Sequence, residues 1–247
     1  MKTNYYYDLA KYNLRPIFKS ITGSGIRKTL NLIKKNFPNL KIKKIKSNKK
    51  VFDWKVPPEW NLNDAFIKDK YGKKIIDISN NPLHIISYST PFNSFLNKKN
   101  LIKNLYFIKK MPDAIPYVTS YYKKRWGFCL PFKEYKKLKK GKYRVIIKSK
   151  LKKGHLVYSD KLIKGKSKKE ILISTYLCHP QMANNELSGP LVWSSLYKIL
   201  KNTGPHEYSY RFLICPENIG SAAFLHYSKK KVKNIIAGFV INCVGYG

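Results

Sequence analysis

One stretch, ILISTYLCHPQMANNELSG at residues 171–189, narrows the folds open to this chain more than any other part of it. An apolar run of strand-forming residues delivers His179 to its end, and a polar, proline-broken loop then leads into a Ser-Gly-Pro helix start. Two later runs have the same form: Tyr210 to Cys215 ends in Pro216-Glu217-Asn218, and Ile235 to Cys243 ends in Val244-Gly245. Strands that alternate with helical segments imply an α/β sheet. Binding groups of such sheets gather at the carboxyl ends of the strands, where loops converge without disturbing the packed layers. The three strand ends therefore offer His179, Asn185 or Glu186, Glu217 and Asn242 to one site.

The rest of the chain divides around this block. Residues 4 to about 35 read as helix, turn and helix, with Gly23 and Gly25 in the turn, Leu30, Ile33 and Phe37 at helical spacing, and Pro38 closing the second helix. Between Leu40 and Ser149 the pattern shortens to KIKKI, VFDWKV, KKIIDI, LHIISYS and YRVIIKS, broken by Pro and Gly, which predicts mostly strands and one helix near Phe95 to Tyr106. From Leu162 the chain returns to strand, loop, helix, strand, helix, strand. Ser188 is expected to cap the first of these helices, with Pro190 in its first turn. The expected organisation is one α/β domain formed by 1–38 and 160–247, interrupted by a mostly β insert over 39–159.

Composition restricts partners more than fold. The net charge of +37 attracts polyanions. Its carriers, however, are 45 lysines and only five arginines, spread over every segment, whereas specific phosphate and base recognition favours arginine forks. That balance predicts a solvated lysine surface with weak, salt-sensitive polyanion binding. An apolar content of 43% keeps the chain out of the disordered class. No apolar run reaches the roughly 18 residues of a membrane span, and the N-terminus lacks a signal-type apolar core, so the cytoplasm is the default address. Cys129, Cys178, Cys215 and Cys243 are too far apart for a Cys-x-x-C pair and read as free thiols. A Cys178–His179 dyad is disfavoured, because neighbours on a strand point to opposite faces.

The segments CHPQMANNELSGP, PENIGSAAFL and AGFVINCVG resemble the aminopeptidase-like proteins of bacterial polysaccharide-biosynthesis loci, distant relatives of the di-zinc aminopeptidase clan. RPIFKSITGSGIRKTL, VFDWKVPPEWN and DAIPYVTSYYKKRWGFCLP resemble that family's opening helix and its inserted domain of unknown function. The resemblance implies a zinc-aminopeptidase-like (phosphorylase/hydrolase-like) α/β fold, with a mixed sheet flanked by helices. It implies zinc as cofactor and a small peptide-like or amide-containing substrate, and it leaves room for a homo-oligomer. Carried over residue by residue, His179 matches the first metal ligand and Glu217 one member of a Glu-Glu pair that supplies the catalytic base. Gln181, Asn185, Asn218 and Asn242 stand where that clan has acidic groups, with Glu186 as a substitute ligand beside Asn185. Tyr246 departs from an expected acidic residue. The match stops at Gly247, which reads as a C-terminally truncated member whose last ligand histidine has no counterpart.

A charge count limits that implication. His179, Glu217 and Glu186 bring at most two negative charges to a centre that would carry four positive ones, and Asn carbonyls are poor zinc ligands. Three readings follow. The first is a zinc-dependent hydrolase with Glu217 as base, the second an inactive binding module of the same fold, and the third a polyanion- or nucleic-acid-binding protein. In the insert, Arg125 and Trp126 interleave charge with aromatic surface and are candidates for substrate contact.

Overall fold

The structure is a computed structural model that describes residues 3–35, 37, 39–180 and 182–245, the side chains of residues 3 and 4 excepted. The expectations for Pro38, Gln181 and Tyr246 lie outside the described residues. The chain divides into two compact units, one of residues 1–59 and 153–247 and the other of 60–152. This division is narrower around the insert than 39–159, because residues 41–46 pair with strand 155–163 inside the first unit.

The first unit is a five-stranded mixed sheet with helices on both faces. Its strands are β1 (Lys41–Lys46), β2 (His155–Ile163), β3 (Glu170–Tyr176), β4 (Ser209–Cys215) and β5 (Ile235–Val240), in the spatial order β1-β2-β4-β3-β5. β1 and β2 run antiparallel to their neighbours, while β4, β3 and β5 are parallel, with Thr175 opposite Ile214 and Ser174 opposite Val240. The parallel strands therefore bring the ends carrying His179, Glu217 and Asn242 to one edge of the sheet.

Alternation along the strands decides which helix covers which face. Val157, Ile173, Phe212 and Ile214 face α2 (Ser24–Lys35) and α3 (Gly189–Asn202), packing with Ile26, Leu30, Ile33, Phe37, Trp193 and Tyr197. Here Trp193 also donates its indole N–H to the Ile173 carbonyl at 3.1 Å. Leu156, Tyr158, Leu213 and Cys215 face the opposite way, against Ala223 and Phe224 of α4 (Ile219–Tyr227) and Val51 and Val56 near the 50–55 hairpin. The opening helix α1 (Thr3–Asp8) runs on into a wide turn over Leu9–Leu14. β5 is the last strand of the sheet and pairs only with β3 among the described residues. Its Phe239 and Val240 are 62% and 69% exposed.

The second unit is mainly β, with a four-stranded sheet that includes Glu59–Lys68, Lys74–Asp77, Phe92–Asn97 and Lys142–Lys152. The helix expected near Phe95 to Tyr106 is shorter than its pattern suggested. Phe95 belongs to a strand, and only Lys98–Leu101 is α-helical before a 3-10 turn, because Asn97 caps the Asn100 N–H and starts the helix there. LHIISYS also differs from expectation. It forms a 3-10 turn and isolated bridges, with Ser87 and Ser89 buried and hydrogen-bonded within the unit. No helix among the described residues is long and apolar enough to cross a membrane.

Candidate metal centre

β3 ends at Tyr176, three residues before His179, so strand alternation no longer governs the next side chains. The chain is held instead to the neighbouring strand end: Leu177 N–H donates to the Cys215 carbonyl at 2.9 Å, and Glu217 N–H reaches Cys178 Sγ at 3.3 Å. Cys178 and His179 consequently turn toward each other, contrary to the expectation of opposite faces. The sulfur lies 3.8 Å from both ring nitrogens. An atom equally far from both lies on neither N–H axis, so the pair lacks the alignment of a nucleophile and its base. Complete burial, with Glu186 nearby, pushes the Cys178 thiol well above its ordinary pKa and removes the thiolate that such chemistry needs.

His179 is 5% exposed and stands between two carboxylates. Glu186 Oε2 is 3.3 Å from Nδ1, and Glu217 Oε2 is 3.2 Å from Nε2. The two acids sit in opposite environments. Glu217, whose side chain is 42% exposed, opens to solvent. Glu186 is fully buried, and neither of its oxygens receives a hydrogen bond of ordinary geometry among the described residues, its approach to His179 being the 3.3 Å contact. Desolvation raises its pKa, opposed by His179 and by Lys19. A buried carboxylate without matched donors is costly and points to an absent partner.

Each acid is placed by local backbone. Glu186 lies in a wide π-type turn, Ala183–Ser188, that runs directly into α3. Ser188 is therefore helical and does not cap α3 as expected; it accepts from Val244 N–H at 3.1 Å. Pro190 still falls in the first turn of α3. Gly189 is required here, since a Cβ would come within 2.4 Å of the Ile241 carbonyl and 2.6 Å of Thr175 Oγ1, where the loop after β5 crosses the helix start. Glu217 is turned by its neighbour: Asn218 adopts φ 55° and ψ −71°, and Ile219 N–H closes back on the Glu217 carbonyl at 2.6 Å. That is a γ-turn of the rare, strained hand. Backbone strain at a strand end is a mark of functional sites.

The remaining candidates occupy different surroundings. Asn185 donates to the Tyr176 hydroxyl at 2.7 Å, while its own carbonyl oxygen is buried without a hydrogen-bond partner. Asn242 is exposed beyond β5, its Cα close to Gly189. In the second unit, Arg125 spends its guanidinium on Ser120 Oγ, the Thr119 carbonyl and the Tyr106 hydroxyl, and Trp126 stacks on Phe92 at 4.2 Å. Those partners give both residues a structural use within their unit.

Two contributors escaped sequence reasoning. Tyr176 sets its ring edge-to-face against His179 at 5.7 Å. Lys19 is fully buried, donates to the carbonyls of Leu14 and Ile17, and has its pKa lowered by desolvation while Glu186 and Cys178 pull it back up. One lysine among 45 carries no sequence signal; only the burial of the Leu14–Thr22 segment singles it out.

The donor set has the chemistry to hold one divalent ion. Cys178, His179 and Glu186 offer ligand atoms within 4.8 Å of one another. The 3.3 Å separation of His179 Nδ1 from Glu186 also matches the ligand-to-ligand edge of a tetrahedron with zinc bonds of about 2.0–2.1 Å, while Glu217 lies on the other ring nitrogen and cannot share that ion through the same imidazole atom. For a second ion, the further candidates among the described residues are Glu217, Asn185 and Asn242, of which only Glu217 brings charge, since amide oxygens supply none.

A family model described as a domain of unknown function, DUF4910, matches residues 7–247. The chain belongs to the DUF4910 family. A Clostridium acetobutylicum protein named for polysaccharide biosynthesis and an aminopeptidase-like domain is 45% identical over 232 residues, covering 94% of this chain and 53% of the relative. A crystal structure from the same organism, described as a peptidase, superposes with a TM-score of 0.93 at 44% identity, over 98% of this chain and 57% of that one. The DUF4910 chain thus spans little more than half of each. At 14% identity, a zinc aminopeptidase from Bacillus subtilis shares the fold with a TM-score of 0.63, covering 98% of this chain and 69% of that one. A Shewanella amazonensis M28 peptidase does so at 9% identity and 0.61, over 94% and 69%. The mixed α/β sheet flanked by helices is therefore the zinc-aminopeptidase-like fold.

Proposed function

We propose that the DUF4910 chain is an aminopeptidase-like hydrolase of a peptide or amide bond, tied to polysaccharide biosynthesis, that uses one zinc ion held by His179 and Glu186. The observation that carries this reading is the fully buried Glu186 carboxylate without a matched hydrogen bond, set against an imidazole whose other nitrogen meets Glu217. When bound, the zinc would supply Lewis-acid polarisation and an acidified water. The protein residues have separable tasks. His179 and Glu186 would hold the ion in a dry pocket, where burial of Glu186 strengthens its pull on a cation. Glu217, half open to water at the strained turn, would take a proton from the attacking water and pass it to the leaving amine; its exposure supports that role. The names of the Clostridium relative and of the zinc-dependent structural neighbours support this assignment of class.

Elemental analysis of the zinc-incubated chain tests it. About one zinc per chain is expected, falling to background in a His179→Ala, Glu217→Ala double variant. Equal metal content in the two proteins removes the zinc reading. A specific observation also favours an inactive binding module, since Lys19 already places a cation in the neighbourhood of Glu186. Release of an amino-acid reporter that stops on adding a chelator would exclude that alternative.

A further inference from the structure

A cleft of about 450 Å³ opens in the second unit, bounded by residues 69–76 and 137–143 together with Leu130 and Glu134. Ile76, Leu130, Leu138 and Tyr143 are buried and form its apolar floor. Lysine supplies 7 of the 16 lining residues, against 45 of 247 in the whole chain, so the enrichment exceeds what composition alone would bring.

Two of the acids nearby are paired with lysines, and the third, Asp69, is a standing negative charge at the cleft held by backbone N–H groups. Asp69 Oδ1 accepts the backbone N–H groups of Tyr71 and Lys73 at 2.9 and 3.0 Å. Glu134 pairs with Lys137 at 2.8 Å, and Asp77 with Lys74 at 2.6 Å. Among the described residues, Lys70, Lys73, Lys139, Lys140 and Lys142 face the cleft without an acidic partner. Lys70 rests over the Tyr71 ring, its ammonium 4.8 Å from the centroid.

Ammonium groups gathered around a concave, low-dielectric floor repel one another and focus a positive potential into it. An anion bound there relieves the repulsion. The cleft contains no arginine, so it lacks the planar fork that grips carboxylate or phosphate bidentately, and an anion there would be held by ammonium point charges, the way lysine binds phosphate. Its size lies within the roughly 300–1,000 Å³ of small-molecule sites.

We propose that this cleft binds a small phosphoester, of the sugar-phosphate or diphosphate class, with the phosphate on the lysine rim and the uncharged body on the floor. The assignment does not rest on the metal reading of His179. It also differs from the diffuse polyanion attraction expected from net charge, because it requires one saturable site.

Titration calorimetry of the whole chain in about 0.15 M salt, where long-range surface attraction is largely screened, tests it. The probes are a hexose 1-phosphate, inorganic pyrophosphate and the unphosphorylated hexose. One saturable site per chain is expected for the phosphorylated probes and none for the hexose. A Lys73→Ser, Lys140→Ser, Lys142→Ser variant is expected to weaken binding about tenfold or more. All three positions are exposed, so the fold should survive, which a melting curve checks. A control variant, Lys103→Ser, Lys109→Ser, Lys110→Ser, removes the same charge outside the cleft and should change affinity less than about twofold. Tighter binding of the hexose phosphate than of pyrophosphate assigns the floor to a sugar body, and the reverse order assigns the site to free diphosphate. Equal losses in the two variants, heat that never saturates, or displacement of the phosphoester by duplex DNA that binds both variants alike would each overturn the proposal.

Discussion

Two clusters of buried charge lie at opposite ends of the same strands and are built by opposite rules. Near the start of β3 and β4, Arg211 donates to both oxygens of Glu170 at 2.5 and 2.7 Å and to Asp160 at 2.7 Å, and Lys231 adds a 2.6 Å bond to the same Asp160 oxygen. The guanidinium fork meets carboxylate oxygens with its Nε, Nη1 and Nη2 groups, so the cluster is internally matched. At the carboxyl ends, Glu186 is equally buried, yet among the described residues its oxygens have no hydrogen bond of ordinary geometry, only the approach of His179, whose ring stands between two acids. The first cluster fastens β2, β3 and β4 together. The second holds a desolvated carboxylate ready for a partner that the chain does not itself provide. Buried charge therefore says little about function until each donor is matched to an acceptor.

Removing the anchor of the matched cluster should have the largest effect. Arg211→Met leaves Glu170 and Asp160 buried without their main counter-charge and is expected to cost ~3–5 kcal/mol, read from the urea midpoint. A loss below ~1 kcal/mol would show that the two clusters are energetically alike. Gly189→Ala comes next, since the new methyl would sit 2.4 Å from the Ile241 carbonyl and force the loop after β5 outward. It should destabilise the first unit by ~1–3 kcal/mol, the overpacking range, and weaken zinc retention as well.

At the open cluster the sign should invert. Glu186→Gln removes a desolvated charge and is expected to stabilise the zinc-free chain by ~1–2 kcal/mol at pH 8 while abolishing the extra stability that zinc confers. Folded Glu186 keeps its proton to higher pH than the unfolded chain does. Its burial therefore costs nothing below the ordinary carboxylate value of 4.5 and costs progressively more as pH rises through the raised folded value. Melting curves from pH 8 down to pH 4 should show the variant's advantage shrinking to zero; an advantage that grows on acidification would reverse the assignment. Asn218→Gly relieves the strained turn and should add ~1 kcal/mol of stability, with a fall in reporter release if the strain positions Glu217. The smallest effect on stability is expected at the sheet edge. Phe239→Lys should change it by less than ~0.5 kcal/mol but raise the concentration at which light scattering first detects association.

Much of the first unit was legible because it follows periodic rules. The 3.6-residue spacing of Leu30 and Ile33 and the alternation of Phe212, Leu213, Ile214 and Cys215 assign each side chain to a face, and both patterns hold, while Phe37 reaches the same core from beyond the helix, which ends at Lys35. His179, Glu186 and Glu217 were legible as strand-end polar groups, and the structure brings them together. LHIISYS was misread because its apolar run matches a strand, while bonds from Ser87 and Ser89 to Val118 and Ile86 hold it irregular. Ser188 was misread as a cap because its Ser-Gly-Pro context looks like a helix start. The wide turn before it depends on contacts with the loop after β5, which lies more than fifty residues later.

Local sequence thus determined the parallel strands, the helices between them and the strand end at which each polar group emerges, since backbone periodicity and turn chemistry act over a few residues. Tertiary structure alone decided which of those groups are dry and which are wet. Glu186 and Glu217 are the same residue type at neighbouring strand ends, yet one is sealed beside Lys19 and the other faces water. Solvation depends on everything packed around a side chain, including a helix turn and a lysine from the far end of the chain, and no short window of residues contains that information.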